Sequence, residues 1–240
     1  MKAMILAAGL GTRLKPITDR IPKALVEVEG VPMLERVILA LKRQGFDYIV
    51  VNVHHFADQI IDFVQSHDYG VDIEISDERR NLLDTGGGIV KAAPLLFKHD
   101  DEPVLVHNVD ILSDARLNDL MKEAHNCTSL LVSDRLSSRK LIFNRRHELT
   151  GWHDLKNECY RPQGFRPEPG NCELAFSGIY VISKTAVEEM KSLMGEGKYS
   201  VMDYFLHPKR GEIIKAVQGK GLKMIDIGKP ATLSQASDFI

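Results

Sequence analysis

Residues 4–23 read MILAAGLGTRLKPITDRIPK, and their pattern sets the reading of the fold. The apolar opening, ending at Leu6, predicts a buried strand. The run then breaks into Ala7, Ala8, Gly9, Leu10, Gly11, Thr12 and Arg13, where small residues leave the backbone uncovered. Consecutive uncovered N–H groups can form an anion-binding concavity. Arg13 adds a planar fork suited to two phosphate oxygens, and Lys23, directly after Pro22, adds a compact charge. Together these features describe a polyphosphate site; a tight turn is the alternative use of glycines after a strand. Neither Gly-x-Gly-x-x-Gly nor Gly-Lys-Ser/Thr is present. A dinucleotide-dependent oxidoreductase would also need an acidic residue after the second strand, where Asn52 and His54 stand.

Outward from this loop, strand and helix alternate. Met33–Arg43 carries apolar residues at Leu34, Val37, Ile38 and Leu41, a helical stripe opened by Pro32 and closed by Gly45. Tyr48–Val53 reads as a strand, Ala57–Gln65 as a helix, and 71–75 as a third strand. Strands separated by helices imply parallel pairing with right-handed crossovers, and ligands then collect beyond the carboxyl ends of the strands. The expected architecture is a Rossmann-like α/β fold: a mixed, mainly parallel sheet flanked by helices on both faces. His54 and His55 follow the second strand, and adjacent strand residues point to opposite faces, which favours a loop or structural role over a shared metal site.

Two further segments carry polar groups to the same rim. Residues 79–88 end in Gly86, Gly87 and Gly88 ahead of a helical stretch at 89–96; such a run suits either a ligand approaching backbone N–H groups or a flexible loop. Val104, Leu105 and Val106 form a strand ending in His107, Asn108, Val109 and Asp110. An aspartate there can hold a hard divalent cation through oxygen or cap a turn, with Asp114 as a competitor. Beyond lie helices at 117–125, 185–193 and 201–206, a strand at 129–132, a hairpin over 140–152, a long polar loop at 153–172, a strand at 175–182 containing Gly178, and a last helix at 231–239 expected to pack on the sheet.

The 240 residues are 44% hydrophobic with a formal net charge of −2, enough for one core and without a general basic field for nucleic acid or an anionic membrane. No apolar run approaches a membrane span, and the N-terminal strand is no leader; the expected compartment is the cytoplasm. Cys127, Cys159 and Cys172 are odd in number and read as free thiols.

The run LAAGLGTRLKPITDRIPKAL resembles the signature of the sugar-1-phosphate nucleotidylyltransferases. Leu83, Asp84, Thr85, Gly86, Gly87 and Gly88 match that family's Leu-x-Thr-Gly-Gly-Gly, a match favouring the N-acetylmuramate-1-phosphate uridylyltransferases within it. Asn108-Val109-Asp110 stands where the family has Asn-Gly-Asp, and Asp226-Ile227-Gly228-Lys229-Pro230 where it has Asp-x-Gly-Thr-Pro. The resemblance implies magnesium on Asp110 and Asp226. It further implies nucleotide contacts from Leu6, Ala7, Ala8, Gly9, Gly11, Thr12, Arg13, Thr85, Gly86 and Asn108, and sugar-phosphate contacts from Lys23, Gly87 and Gly178. The family's Glu-Lys-Pro is missing from the 153–172 loop, where Lys156 is the candidate substitute.

The implied reaction is attack of a sugar-1-phosphate oxygen on the α-phosphorus of a nucleoside triphosphate. UTP with N-acetylmuramate-1-phosphate is the leading pair, and Arg13, Lys23, Asp110 and Asp226 are the catalytic set. Mannose- or heptose-1-phosphate guanylyltransfer, and a non-catalytic nucleotide-sugar-binding regulator, are the alternatives. One domain over 1–240 is expected, with a nucleotide half (1–134) and a sugar-phosphate half (135–240). The partners are small molecules, with no nucleic acid or membrane, and the state is a monomer or weak homodimer. Base choice is expected to rest on backbone amides near Ala7 and Ala8 and on the loop before Thr85.

Overall fold

Strand β1 (Lys2–Leu6) sits in the middle of a sheet because both its faces are apolar: Ala3 and Ile5 pack on one side and Met4 on the other, all without solvent exposure. The computed structural model describes residues 1–124, 127–219 and 221–239. After β1 come β2 (Glu27–Val28), β3 (Val31–Pro32), α1 (Met33–Arg43), β4 (Tyr48–Val53), α2 (Ala57–Gln65), β5 (Asp72–Asp77), α3 (Asp84–Leu96) and β6 (Val104–Asn108). The order β5-β4-β1-β6 is parallel throughout, which places the loop after β1 and the end of β6 side by side.

The chain continues through β7 (Ile111–Ser113), α4 (Leu117–Glu123), β8 (Thr128–Ser133), β9 (Arg139–Phe143), β10 (Leu149–Asp154), β11 (Cys159–Arg161) and β12 (Cys172–Ile182). It ends with α5 (Lys184–Met194), α6 (Val201–Phe205), β13 (Ile214–Gln218), β14 (Met224–Asp226) and α7 (Pro230–Gln235). β12 runs antiparallel between β6 and β8, and β13 adds parallel to β8. The start of β12 also pairs with β9, beginning the antiparallel β9-β10-β11 layer. The sheet therefore crosses the 134/135 boundary, because strands after it pair with strands before it.

Helices cover both faces, as expected. Residues of α1, α2 and α4 share one apolar core with Ile49, Val51 and Val53, and residues of α3, α5 and α6 share a second with Tyr48 and Val50. Leu34, Val37, Ile38 and Leu41 of α1 are buried, each contributing roughly 1.5–3 kcal/mol. That total outweighs the few tenths of a kcal/mol per residue separating helix propensities, so burial decides this helix.

Several boundaries differ from expectation. The third strand is shifted to Asp72–Asp77, β2, β3, β11 and β13 carry no clear local signal, and α3 starts at Asp84 and so includes all three glycines. α4 ends at Glu123; the expected terminus at His125 lies outside the described residues. The final segment packs with Leu14, Val28, Met33 and Ile227 in a separate small core rather than on the central sheet. The three cysteines are free, and no described helix is long and apolar enough to cross a membrane.

Candidate active site

The carboxyl ends of β1 and β6 open onto a cavity of about 390 Å³. From the expected set, Leu6, Ala8, Gly9, Gly11, Thr12, Arg13, Lys23, Thr85, Asn108 and Asp110 line it. Gly11 shapes the loop: its φ is +65°, and a Cβ would lie 2.7 Å from the Thr18 methyl. Its carbonyl accepts from the Leu14 N–H and the Thr18 hydroxyl, each at 2.8 Å, which holds the short 3-10 helix Thr12–Leu14 carrying Arg13.

Lys23 follows Pro22 at the start of the 3-10 turn Lys23–Leu25, and its ammonium forms an ion pair with Asp110, each side chain 12% exposed. Val109 does not disturb this geometry. Its φ is not positive, its side chain enters the core, and its N–H donates to the Leu6 carbonyl at 3.2 Å. Strand β14 brings the second carboxylate: Asp226 pairs with Ile111 across β7, and the Ile227 N–H donates to the Asp110 carbonyl at 2.8 Å. Loss of solvation and then the Asp110 charge push the Asp226 pKa up, while Lys23 and Arg13 pull it down. At Gly228 a Cβ would lie 2.7 Å from Asp226 Oδ1 and 2.8 Å from the Arg13 guanidinium, so this glycine lets the two side chains converge. Asp114 is engaged elsewhere, its Oδ1 accepting from the Lys223 N–H at 2.9 Å.

Among the described residues no group of three or more His, Cys, Asp or Glu is placed to hold a metal; the Asp110 and Asp226 carboxylates are close enough to interact and are the two that could share one. Two hard oxygen donors beside an open cavity suit a cation that keeps coordination sites for water and phosphate, as Mg²⁺ does.

Some expected contacts are already occupied by protein. Asn52 Oδ1 accepts from the Ala7 N–H at 2.7 Å and the Ala8 N–H at 3.3 Å, so these amides are not free to read a base. The Tyr199 carbonyl accepts from the Gly86 and Gly87 N–H groups, and a Cβ on either residue would overlap Tyr199 or the Gly197 carbonyl. Gly86 and Gly87 thus seat the 197–199 loop on α3. Gly178, at φ +77°, makes room for the Asn108 amide, 2.7 Å from a Cβ built there, and coincides with a register shift in β12. Lys156 lies in the turn after β10 and does not border this cavity. His54 has a structural bond, Nδ1 donating to the Glu78 carbonyl at 2.7 Å.

The cavity also holds residues that the local sequence did not single out as ligand contacts: Leu10, Asn52, Leu82, Asp84, Lys198 and Gly228. Asn52 had a readable signal, a polar side chain in the apolar strand YIVVNV. Lys198 had a weaker one, a Gly-Glu-Gly-Lys turn between two helices.

Residues 2–134 match the family described as Nucleotidyl transferase. An N-acetylmuramate alpha-1-phosphate uridylyltransferase of Neisseria meningitidis is 37% identical over 182 residues, covering 75% of this chain and 74% of that protein. One from Caulobacter vibrioides is 44% identical over 111 residues, covering 45% of each. The solved structure of HddC from Yersinia pseudotuberculosis, complexed with GMP-PN, superposes with a TM-score of 0.78 at 24% identity, covering 99% of this chain and 98% of that one. The chain belongs to the nucleotidyl transferase family. It is a nucleotidyltransferase whose curated relatives are named for sugar-1-phosphate substrates.

Proposed function

We propose that this enzyme transfers UMP from UTP to N-acetylmuramate-1-phosphate, releasing pyrophosphate, and that it requires Mg²⁺. The observation carrying the reaction is the Lys23–Asp110 ion pair, set against Asp226 and Arg13 at the mouth of the β1 loop. Two named uridylyltransferases of N-acetylmuramate-1-phosphate, at 37% and 44% identity, support the substrate pair.

The electrostatic problem is the approach of one phosphate to another. Lys23 lines the cavity and pairs with Asp110, and its ammonium meets the α-phosphate and the incoming sugar phosphate. Arg13 and the backbone of residues 9–12 hold the β- and γ-phosphates and take up charge as pyrophosphate leaves. Lys198 adds a third cation to the lining of the cavity. Asp110 and Asp226 would hold the magnesium ion, which when bound supplies charge neutralisation for the triphosphate. No general base is needed, because the sugar-phosphate oxygen is already ionised at neutral pH.

The test is pyrophosphate release from UTP, GTP, CTP and dTTP against N-acetylmuramate-, mannose- and glucose-1-phosphate, with Mg²⁺ and with EDTA. Mg²⁺-dependent release with UTP and N-acetylmuramate-1-phosphate is expected. Preference for GTP with mannose-1-phosphate would overturn the substrate pair, undiminished release in EDTA would overturn the metal, and ligand-induced stabilisation without release from any pair would overturn catalysis.

A further inference from the structure

A second cavity, of about 320 Å³, lies between the β9-β10-β11 layer and the start of α6. Arg139, Lys140 and Arg161 border it, Trp152 and Phe176 give it aromatic walls, and none of its lining residues is acidic. The three cations are not equally committed. Arg161 already holds Asp203 at 2.7 Å and lies over the Trp152 ring at 6.0 Å. Arg139 is 71% exposed and comes only within 3.9 Å of Asp154. Lys140 forms no ion pair within 4 Å among the described residues; its ammonium donates at 2.6 Å to the Arg135 carbonyl, a neutral acceptor that leaves its charge uncompensated.

This cleft adjoins the catalytic cavity. Phe176 stands on β12 two residues before Gly178, against which the Asn108 amide packs. Ser200 of the cleft follows Lys198 of the catalytic cavity on one loop, and the adjoining Val201 N–H donates to the Thr85 hydroxyl at 2.8 Å. Arg135, which follows β8, donates at 2.9 Å to the Phe176 carbonyl. The cleft thus lies on segments that also wall the cavity holding Lys23.

We propose that the cleft seats a carboxylate-bearing substituent of the sugar phosphate, with Lys140 as its main partner, Arg139 as its second, and the faces of Trp152 and Phe176 against the apolar part of that substituent. The inference rests on the sugar-1-phosphate reading above and adds to it the residues that select a charged sugar. A carboxylate entering an aromatic-walled cleft loses solvent and needs a cation in return, whereas a neutral sugar leaves Lys140 without a countercharge. N-acetylmuramate-1-phosphate carries such a carboxylate on its lactyl ether; N-acetylglucosamine-1-phosphate has the same ring without it.

The experiment measures kcat/KM for these two sugar phosphates with UTP and Mg²⁺ in the native protein, Lys140→Met, Lys140→Arg and Arg139→Met. The charged-to-uncharged ratio should exceed one in the native protein. It should fall about tenfold or more in Lys140→Met, less in Arg139→Met, and return substantially in Lys140→Arg, as loss and recovery of a charge-assisted contact require. Because each protein is measured on both substrates, a folding defect cancels from the ratio. A native preference that Lys140→Met leaves intact overturns the cleft assignment and leaves the N-acetylmuramate reading standing. A native protein that uses only the uncharged sugar overturns both.

Discussion

Asn52 Nδ2 donates to Glu78 Oε1 at 2.7 Å, and this buried contact joins the first-strand loop to the start of α3. The other end of the Asn52 amide accepts from Ala7 and Ala8, while Glu78 Oε2 accepts from the Leu83 N–H at 3.2 Å, next to Asp84 and Thr85 of the cavity. Gly88 leaves the room: a Cβ there would lie 2.8 Å from the Glu78 carboxylate and 3.0 Å from the Asn52 amide. Burial pushes the Glu78 pKa up, and the Asn52 amide and Leu83 N–H pull it back. The loop after β1 is thus held in place by the protein's own hydrogen bonds.

Asn52→Asp is nearly isosteric and keeps the acceptor for Ala7, but it sets a second carboxylate against Glu78. The variant should be less stable than the native protein at pH 7, and the gap should narrow as pH falls, because protonating either carboxyl removes the repulsion and restores a hydrogen bond. Asn52→Ala should instead lose about 1–3 kcal/mol from unpaired amides, at about 2–4 °C of Tm per kcal/mol, with little change in that gap between pH 7 and pH 5. Thermal melts of both variants at the two pH values check this.

Lys23→Ala removes the cation facing the Asp110–Asp226 pair. Its kcat should fall by about 30- to 1000-fold, equivalent to about 2–4 kcal/mol of transition-state stabilisation. A folded variant that releases pyrophosphate at a near-native rate would sink the role given to this residue.

Gly87→Ala tests the packing use of the triple glycine. Its Cβ would overlap the Gly197 carbonyl, a backbone atom that cannot rotate away. The melting temperature should drop by several degrees without any ligand present, as an overpacked contact costs about 1–3 kcal/mol. A glycine needed only for ligand approach would leave the unliganded melt unchanged, which calorimetry of the free protein distinguishes.

His107 is buried in β6, its Nδ1 donating to the Asn108 carbonyl at 2.8 Å. Burial pulls its pKa down from 6.5 to about 4, so between these values the unfolded chain binds a proton that the folded chain does not. Stability therefore declines as pH drops through that window, by about 3 kcal/mol from this group. Urea midpoints from pH 7 to pH 4.5 should show a shallower decline in His107→Gln than in the native protein.

Chain-local chemistry made much of this protein legible. Met33–Arg43, Tyr48–Val53 and Ala57–Gln65 have the predicted bounds, because a helical stripe or a β-branched run between turn residues is a property of neighbouring positions. The loop from Ala7 to Arg13, with Lys23 after Pro22, was readable for the same reason. Tertiary structure decided which distant groups meet. Pairing of β14 with β7 sets Asp226 beside Asp110, Asn52 and Tyr199 take the amides of Ala7, Ala8, Gly86 and Gly87, and the 195–199 loop carries Lys198 into the cavity. These outcomes depend on how sheet order and helix packing bury surface between remote segments, and no window of local sequence contains that information.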